Sequence, residues 1–165
     1  MIDVIEAFLR NNEDYARDFT SGDLPPQPAR RVAILTCMDA RIDVGRILGL
    51  KEGDAHVIRN AGGVVTDDAL RSLIVSQRFL DTNKIIVINH TNCGMLTFKD
   101  HELKDALEEE TGVRPEFPIF TFEDLEDNVR DQVARLNDSP FIADGTEIAG
   151  FIYDVETGRL QEVVR

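Results

Sequence analysis

Two short stretches carry most of the residue types in this chain that could do chemistry together. Thr36-Cys37-Met38-Asp39-Ala40-Arg41 and Asn89-His90-Thr91-Asn92-Cys93-Gly94-Met95 hold both cysteines of the 165 residues and one of the three histidines. Thiolate and imidazole are donors that zinc favours, in tetrahedral geometry. His90 and Cys93, three apart, can close on one ion, with Cys37 arriving from the other stretch. The set offers three ligands and no obvious fourth. Structural zinc sites normally have four protein ligands, whereas catalytic sites leave a position for water. Three donors therefore favour catalysis, provided a metal is bound. Core packing and a redox pair are the alternatives, because an isolated His-x-x-Cys is a weak pattern.

Asp39 and Arg41 flank Cys37 at i+2 and i+4. An arginine can fix a carboxylate by a bidentate pair. A carboxylate so held could accept a hydrogen bond from zinc-bound hydroxide and aim its lone pair at an electrophile. Two other roles are open: a structural salt bridge at a turn, or Asp39 itself as the ligand that closes the site.

The elements that must position these residues follow from the apolar pattern. Val32-Ala33-Ile34-Leu35 precedes the first stretch and Ile85-Ile86-Val87-Ile88 the second. Such runs read as buried parallel strands, and open α/β sheets place their sites at strand carboxyl ends. Strands are expected over 31–36, 55–59, 84–89 and 147–155, with a fifth over 159–164 after the Glu156-Thr157-Gly158 turn. Helices are expected over 42–50, 67–80, 102–110 and 122–136, with Thr66 as an N-cap. Gly94 to Phe98 is expected to begin a helix. The result is an α/β fold: a mostly parallel sheet of four strands with a fifth antiparallel edge strand, flanked by helices, as one domain over 1–165. Ahead of it, Ile2, Ile5, Phe8 and Leu9 form a helical apolar stripe, and Pro25, Pro26 and Pro28 mark a loop. This helical arm over 1–28 could pack on a partner subunit or lie as a lid on its own domain.

A formal charge of −13 argues against nucleic acid or an anionic membrane as partner. No apolar run approaches the ~18 residues of a membrane span. Asp3, Glu6, Glu13 and Asp14 sit where a signal peptide would be basic or apolar. A cytoplasmic protein is expected. Two cysteines do not make a disulfide framework.

Taken together, Cys37-x-Asp39-x-Arg41 and His90-x-x-Cys93 resemble the β-class carbonic anhydrases, in particular their smaller prokaryotic branch. Arg59-Asn60-Ala61-Gly62, Gly150-Phe151-Ile152-Tyr153-Asp154 and Thr157-Gly158 extend the resemblance from about Arg31 to Val164. The resemblance implies one zinc per chain on Cys37, His90 and Cys93, a catalytic dyad of Asp39 and Arg41, and Gly62 and Gly63 beside the substrate. It implies hydration of carbon dioxide to bicarbonate by zinc-bound hydroxide, and a homodimer or tetramer in which the amino-terminal helix embraces the partner. Two thiolates would cancel the charge of the ion, so activity is expected to rise above about pH 7. Members of the same branch hydrolyse carbonyl sulfide or carbon disulfide, which makes that the main alternative; a non-catalytic zinc or anion-binding module is the other. His56 and His101 are the remaining candidates for moving a proton. Arg59 could touch an anion or form a structural salt bridge.

Overall fold

Five aliphatic and β-branched stretches pair into one sheet. The structure, a computed structural model, describes residues 3–165. Strands β1 (Val32–Cys37), β2 (Ala55–Asn60), β3 (Lys84–His90) and β4 (Glu147–Tyr153) are parallel, in the order β2-β1-β3-β4. Strand β5 (Leu160–Val164) pairs antiparallel with β4 at the edge. This is the expected sheet. The chain leaves β1 on one side for β2 and returns on the other side for β3. The strand order therefore reverses between β1 and β3, the kind of switch point at which carboxyl ends open a crevice.

Side chains alternate across the sheet. Ala33, Leu35, Ile85 and Val87 meet Leu73, Val133 and Leu136 on one face. Val32, Ile34 and Ile88 meet Ile42, Val44 and Met95 on the other. All of β1 is buried, as a parallel strand covered on both faces should be.

Helix α3 (Asp67–Leu80) is capped by Thr66, whose hydroxyl accepts from the Ala69 amide. Helix α5 (Leu125–Asn137) begins later than the apolar spacing from Phe122 suggests. The Asp124 carboxylate accepts from the Asp127 amide and so sets the start of the helix, while Phe122 packs against the apolar cluster on the other face. Gly150 lets α5 lie close over β4: a Cβ there would come 2.5 Å from Val129 Cγ1. Residues Gly94–Leu96 form a single 3-10 turn rather than the start of a helix, because the Thr97 hydroxyl folds back onto the Gly94 carbonyl at 2.6 Å. Helix α4 (Asp100–Thr111) follows separately. Helix α2 (Val44–Leu48) stops at Gly49, as expected.

Helix α1 (Val4–Arg17) has no buried residue. Val4, Ile5, Phe8 and Leu9 are each more than half exposed; Ile2, expected on the same stripe, lies outside the described residues. The helix is fastened near its end, where the Tyr15 hydroxyl donates to Glu52 at 2.6 Å. It does not lie as a lid on its own domain. Among the described residues, no helix is long and apolar enough to cross a membrane.

Candidate metal centre

Cys37 is the last residue of β1 and His90 the last of β3. The pairing register runs both strands to the same end of the sheet, and Cys93 follows His90 through a tight turn in which Asn92 takes a φ of 54°. One donor atom from each of Cys37, His90 and Cys93 lies within 4.8 Å of the others, and all three residues are buried. The Nδ1–H of His90 donates to the Thr91 carbonyl at 2.9 Å. The lone pair is thereby assigned to Nε2, which is buried and has no hydrogen-bond partner. An unpaired buried acceptor is costly. The two thiols are equally ill-suited to stand alone. A hydrogen bond with Cys93 pulls the Cys37 pKa down, against the opposing effect of burial, with backbone amides of Asp39 and Gly62 also favouring its thiolate. The same contact and burial push Cys93 up. Two sulfurs sharing a proton beside an orphaned imidazole lone pair form a donor set that a soft-to-borderline dication fits.

Arg41 engages both oxygens of Asp39. Its Nε donates to Oδ1 at 2.9 Å and its Nη2 to Oδ2 at 2.7 Å, and its backbone N–H adds a 2.9 Å bond to Oδ1. This fork holds the Asp39 carboxyl well below the usual carboxylate range. Arg41 also donates to the Asn92 carbonyl at 3.0 Å, tying the two stretches together. Asp39 Oδ2 stands 3.8 Å from His90 Nε2. The carboxylate is thus beside the three donors, with both oxygens taken up by Arg41.

Arg59 holds backbone carbonyls rather than the structural salt bridge that is one of its two expected roles. Its Nε donates to the Cys37 carbonyl at 3.0 Å and its Nη2 to the Asp39 carbonyl at 2.7 Å, and among the described residues it forms no salt bridge. It pairs with Thr36 across β2 and β1, so knowing that these strands are neighbours would have placed it under the Cys37–Asp39 turn. His56 lies away from the site, its Nδ1 2.7 Å from Ser76 Oγ and its Nε2 3.3 Å from the Pro26 carbonyl. His101 is exposed and lines a separate groove with Lys99 and Glu123.

A cavity of about 430 Å³ opens beside Cys37, Asp39 and Cys93. Its wall is apolar: Met95, Phe98, Leu103 and Ile119, with Gly62. Gly63 lies behind that wall, against the β1 backbone: at a φ of 63°, any Cβ would come 2.8 Å from the Cys37 nitrogen. Sequence reasoning did not single out Phe98, Leu103 or Ile119. They come from three separate segments and share no spacing.

The carbonic anhydrase family model matches residues 32–160. β-Carbonic anhydrase 1 of Mycobacterium tuberculosis is 51% identical over 160 residues, covering 97% of this chain and 98% of that protein. A carbon disulfide hydrolase of an Acidianus strain is 36% identical over 182 residues, covering 96% and 88%. The crystal structure of the carbonic anhydrase of Streptococcus mutans superposes with a TM-score of 0.93 at 43% identity, over 99% of both chains. With its sheet order and its cysteine–histidine–cysteine cluster, the chain belongs to the β-class carbonic anhydrase family.

Proposed function

We propose that this protein is a zinc enzyme that reversibly hydrates carbon dioxide to bicarbonate and a proton, with Cys37, His90 and Cys93 as ligands and the Asp39–Arg41 pair as its catalytic dyad. The observation that carries the reading is the buried, unpartnered His90 Nε2 facing two thiols, with a carboxylate immobilised 3.8 Å away. When bound there, zinc supplies a Lewis acid that makes water nucleophilic near neutral pH. Everything else is the work of the chain. Cys37 and Cys93 balance the charge of the dication. Thr91 fixes the His90 tautomer through its carbonyl. Asp39 accepts a hydrogen bond from the attacking oxygen and so orients it, and Arg41 keeps Asp39 from turning to become a ligand. Gly62, Met95, Phe98, Leu103 and Ile119 give a linear, uncharged substrate a water-poor surface to approach along.

The same wall, with the relative named carbon disulfide hydrolase, favours one second reading: hydrolysis of carbon disulfide or carbonyl sulfide at this centre. The higher identity to a carbonic anhydrase ranks it second. The exposed apolar face of α1 supports a homodimer, or a tetramer of such dimers, in which this helix lies on the second copy; the domain itself would span the whole chain and act in the cytoplasm. Stopped-flow hydration by zinc-quantified protein in mildly alkaline buffer tests the main reading. Fast turnover that disappears in Asp39→Asn supports it. Hydrolysis of carbon disulfide without hydration supports the second reading, and zinc retained with neither activity would leave only a binding module.

A further inference from the structure

Behind the cavity wall, on the α5 side of the sheet, lies a chain of side-chain amides that the proposed reaction does not use. Asn89 donates through Nδ2 to the carbonyls of Gly62 and Gly63 at 3.0 and 3.1 Å. Its Oδ1 accepts from Asn128 Nδ2 at 2.6 Å. Asn128 Oδ1 accepts from Gln132 Nε2 at 2.9 Å. Gln132 Oε1 accepts from the Val65 backbone N–H at 2.7 Å. Asn89 and Asn128 are buried.

The orientation of each amide is forced. Only an NH2 group can face the Gly62 and Gly63 carbonyls, so Asn89 must turn its oxygen to Asn128. Asn128 must then donate there and accept from Gln132, whose oxygen is left for the Val65 N–H. The relay begins and ends on the same segment, 62–65, and closes into a ring through α5 and β3. Asn60 grips that segment from the other side, donating to the Val64 carbonyl at 2.8 Å and accepting from its N–H at 2.9 Å. What the ring holds is the turn pressed against Cys37. Gly63 abuts the Thr36–Cys37 peptide too closely for a Cβ, and Gly62 lines the same cavity as Cys37.

We infer that this relay sets the position of the Gly62–Gly63 turn against Cys37, which makes Asn128 and Gln132 positioning residues of the metal centre although neither lines its cavity. The inference rests on the metal reading above. Groups that hold a metal ligand act by fixing its orientation, and their loss typically costs about 10–100-fold in metal affinity, so a group one step further out belongs at the lower end. Asn128→Asp is the sharpest probe. It keeps the size and the acceptor for Gln132 but replaces the donor to Asn89 with a second acceptor. Asn89 is then driven to turn its NH2 toward the new carboxylate and its oxygen toward two carbonyls.

The test is zinc affinity by chelator competition on the full chain. Two further readouts are the sulfur-to-metal charge-transfer band of cobalt-loaded protein and amide exchange of 62–65 in metal-free protein. Asn128→Asp should weaken zinc by about 10-fold, move the cobalt band, and speed exchange at 62–65 while α3 stays protected. Should Asn128→Asp not fold, Gln132→Met, at a half-buried position, is expected to change the same readouts in the same direction. A relay that is only structural predicts lower thermal stability with zinc affinity and the cobalt band unchanged in a folded variant, and that result overturns the inference. A wild-type chain that binds no zinc overturns the metal reading beneath it.

Discussion

The metal centre and the amino-terminal arm are fastened in opposite ways. At the centre, nearly every functional group is held by a second. Arg41 grips Asp39 with both arms of its fork, the Thr91 carbonyl fixes His90, and Arg59 bridges the carbonyls of Cys37 and Asp39. In α1, Phe8 and Leu9 stand in solvent and Tyr15 makes the long-range contact. Burying one apolar side chain of that size contributes about 1.5–3 kcal/mol, and α1 does not obtain it from its own domain. The donors and the groups that hold them come together within one chain, while the apolar face of the arm finds no cover on its own domain. Each half of that contrast can be broken separately.

The largest effect is expected at the ligands. Cys37→Ser should reduce zinc from one per chain to a small fraction and abolish hydration, because removing a donor exceeds the ~10–100-fold cost of removing a donor's partner. Metal analysis of the purified variant checks it; full zinc content would remove Cys37 from the ligand set. Next is Asp39→Asn. It preserves the shape of the side chain but weakens the grip of Arg41 and the acceptor facing the attacking oxygen. Turnover should fall by about 100-fold or more with zinc content unchanged. Normal turnover would mean that the pair is a structural salt bridge.

The two regions were also unequally legible in the sequence. Cys37, His90 and Cys93 could be grouped because apolar runs end immediately before them, and a parallel sheet brings such ends together. The Asp39–Arg41 pair was readable from local spacing alone. The amide ring was not. Asn89, Asn128 and Gln132 meet only because α5 packs over Gly150 and β3 lies beside β4, contacts that no local pattern encodes. The partners of Arg59 were hidden for the same reason: they are carbonyls on a neighbouring strand's turn, not the carboxylate of a salt bridge. The amphipathic stripe of α1 was plain, but an amphipathic pattern does not say which surface covers it.

The arm gives the third prediction. Phe8→Asp combined with Leu9→Asp should weaken self-association by about 100-fold or more, the equivalent of ~3 kcal/mol from two lost apolar contacts. The monomer that results should stay folded and keep its zinc, since α1 contributes no buried residue. Sedimentation across a dilution series reads the first effect and metal analysis the second. Unchanged association would place the interface elsewhere; unfolding would show that α1 belongs to the core after all.

The smallest effect probes the cavity wall. Asp100, at the start of α4, accepts four hydrogen bonds: from the amides of Ile119, Phe120 and Thr121 and from the Thr121 hydroxyl. It latches the segment that carries Ile119 onto the helix that carries Leu103. Burial raises its pKa, but those bonds outweigh burial and hold the carboxyl at about 2, below its ordinary 3.8. A depressed carboxyl stabilises the fold above its unfolded pKa, and that contribution is lost as pH falls through the folded value. Asp100→Asn should therefore lower Tm near neutral pH by about 2–4 °C, the equivalent of ~1 kcal/mol in a chain of this size. The gap from wild type should close as the pH approaches about 2. A gap that persists in acid would mean that the latch works through shape rather than charge. Because this group is ionised well above a pH of about 2, a rise in activity through neutral pH would not come from Asp100 or from the wall it holds in place.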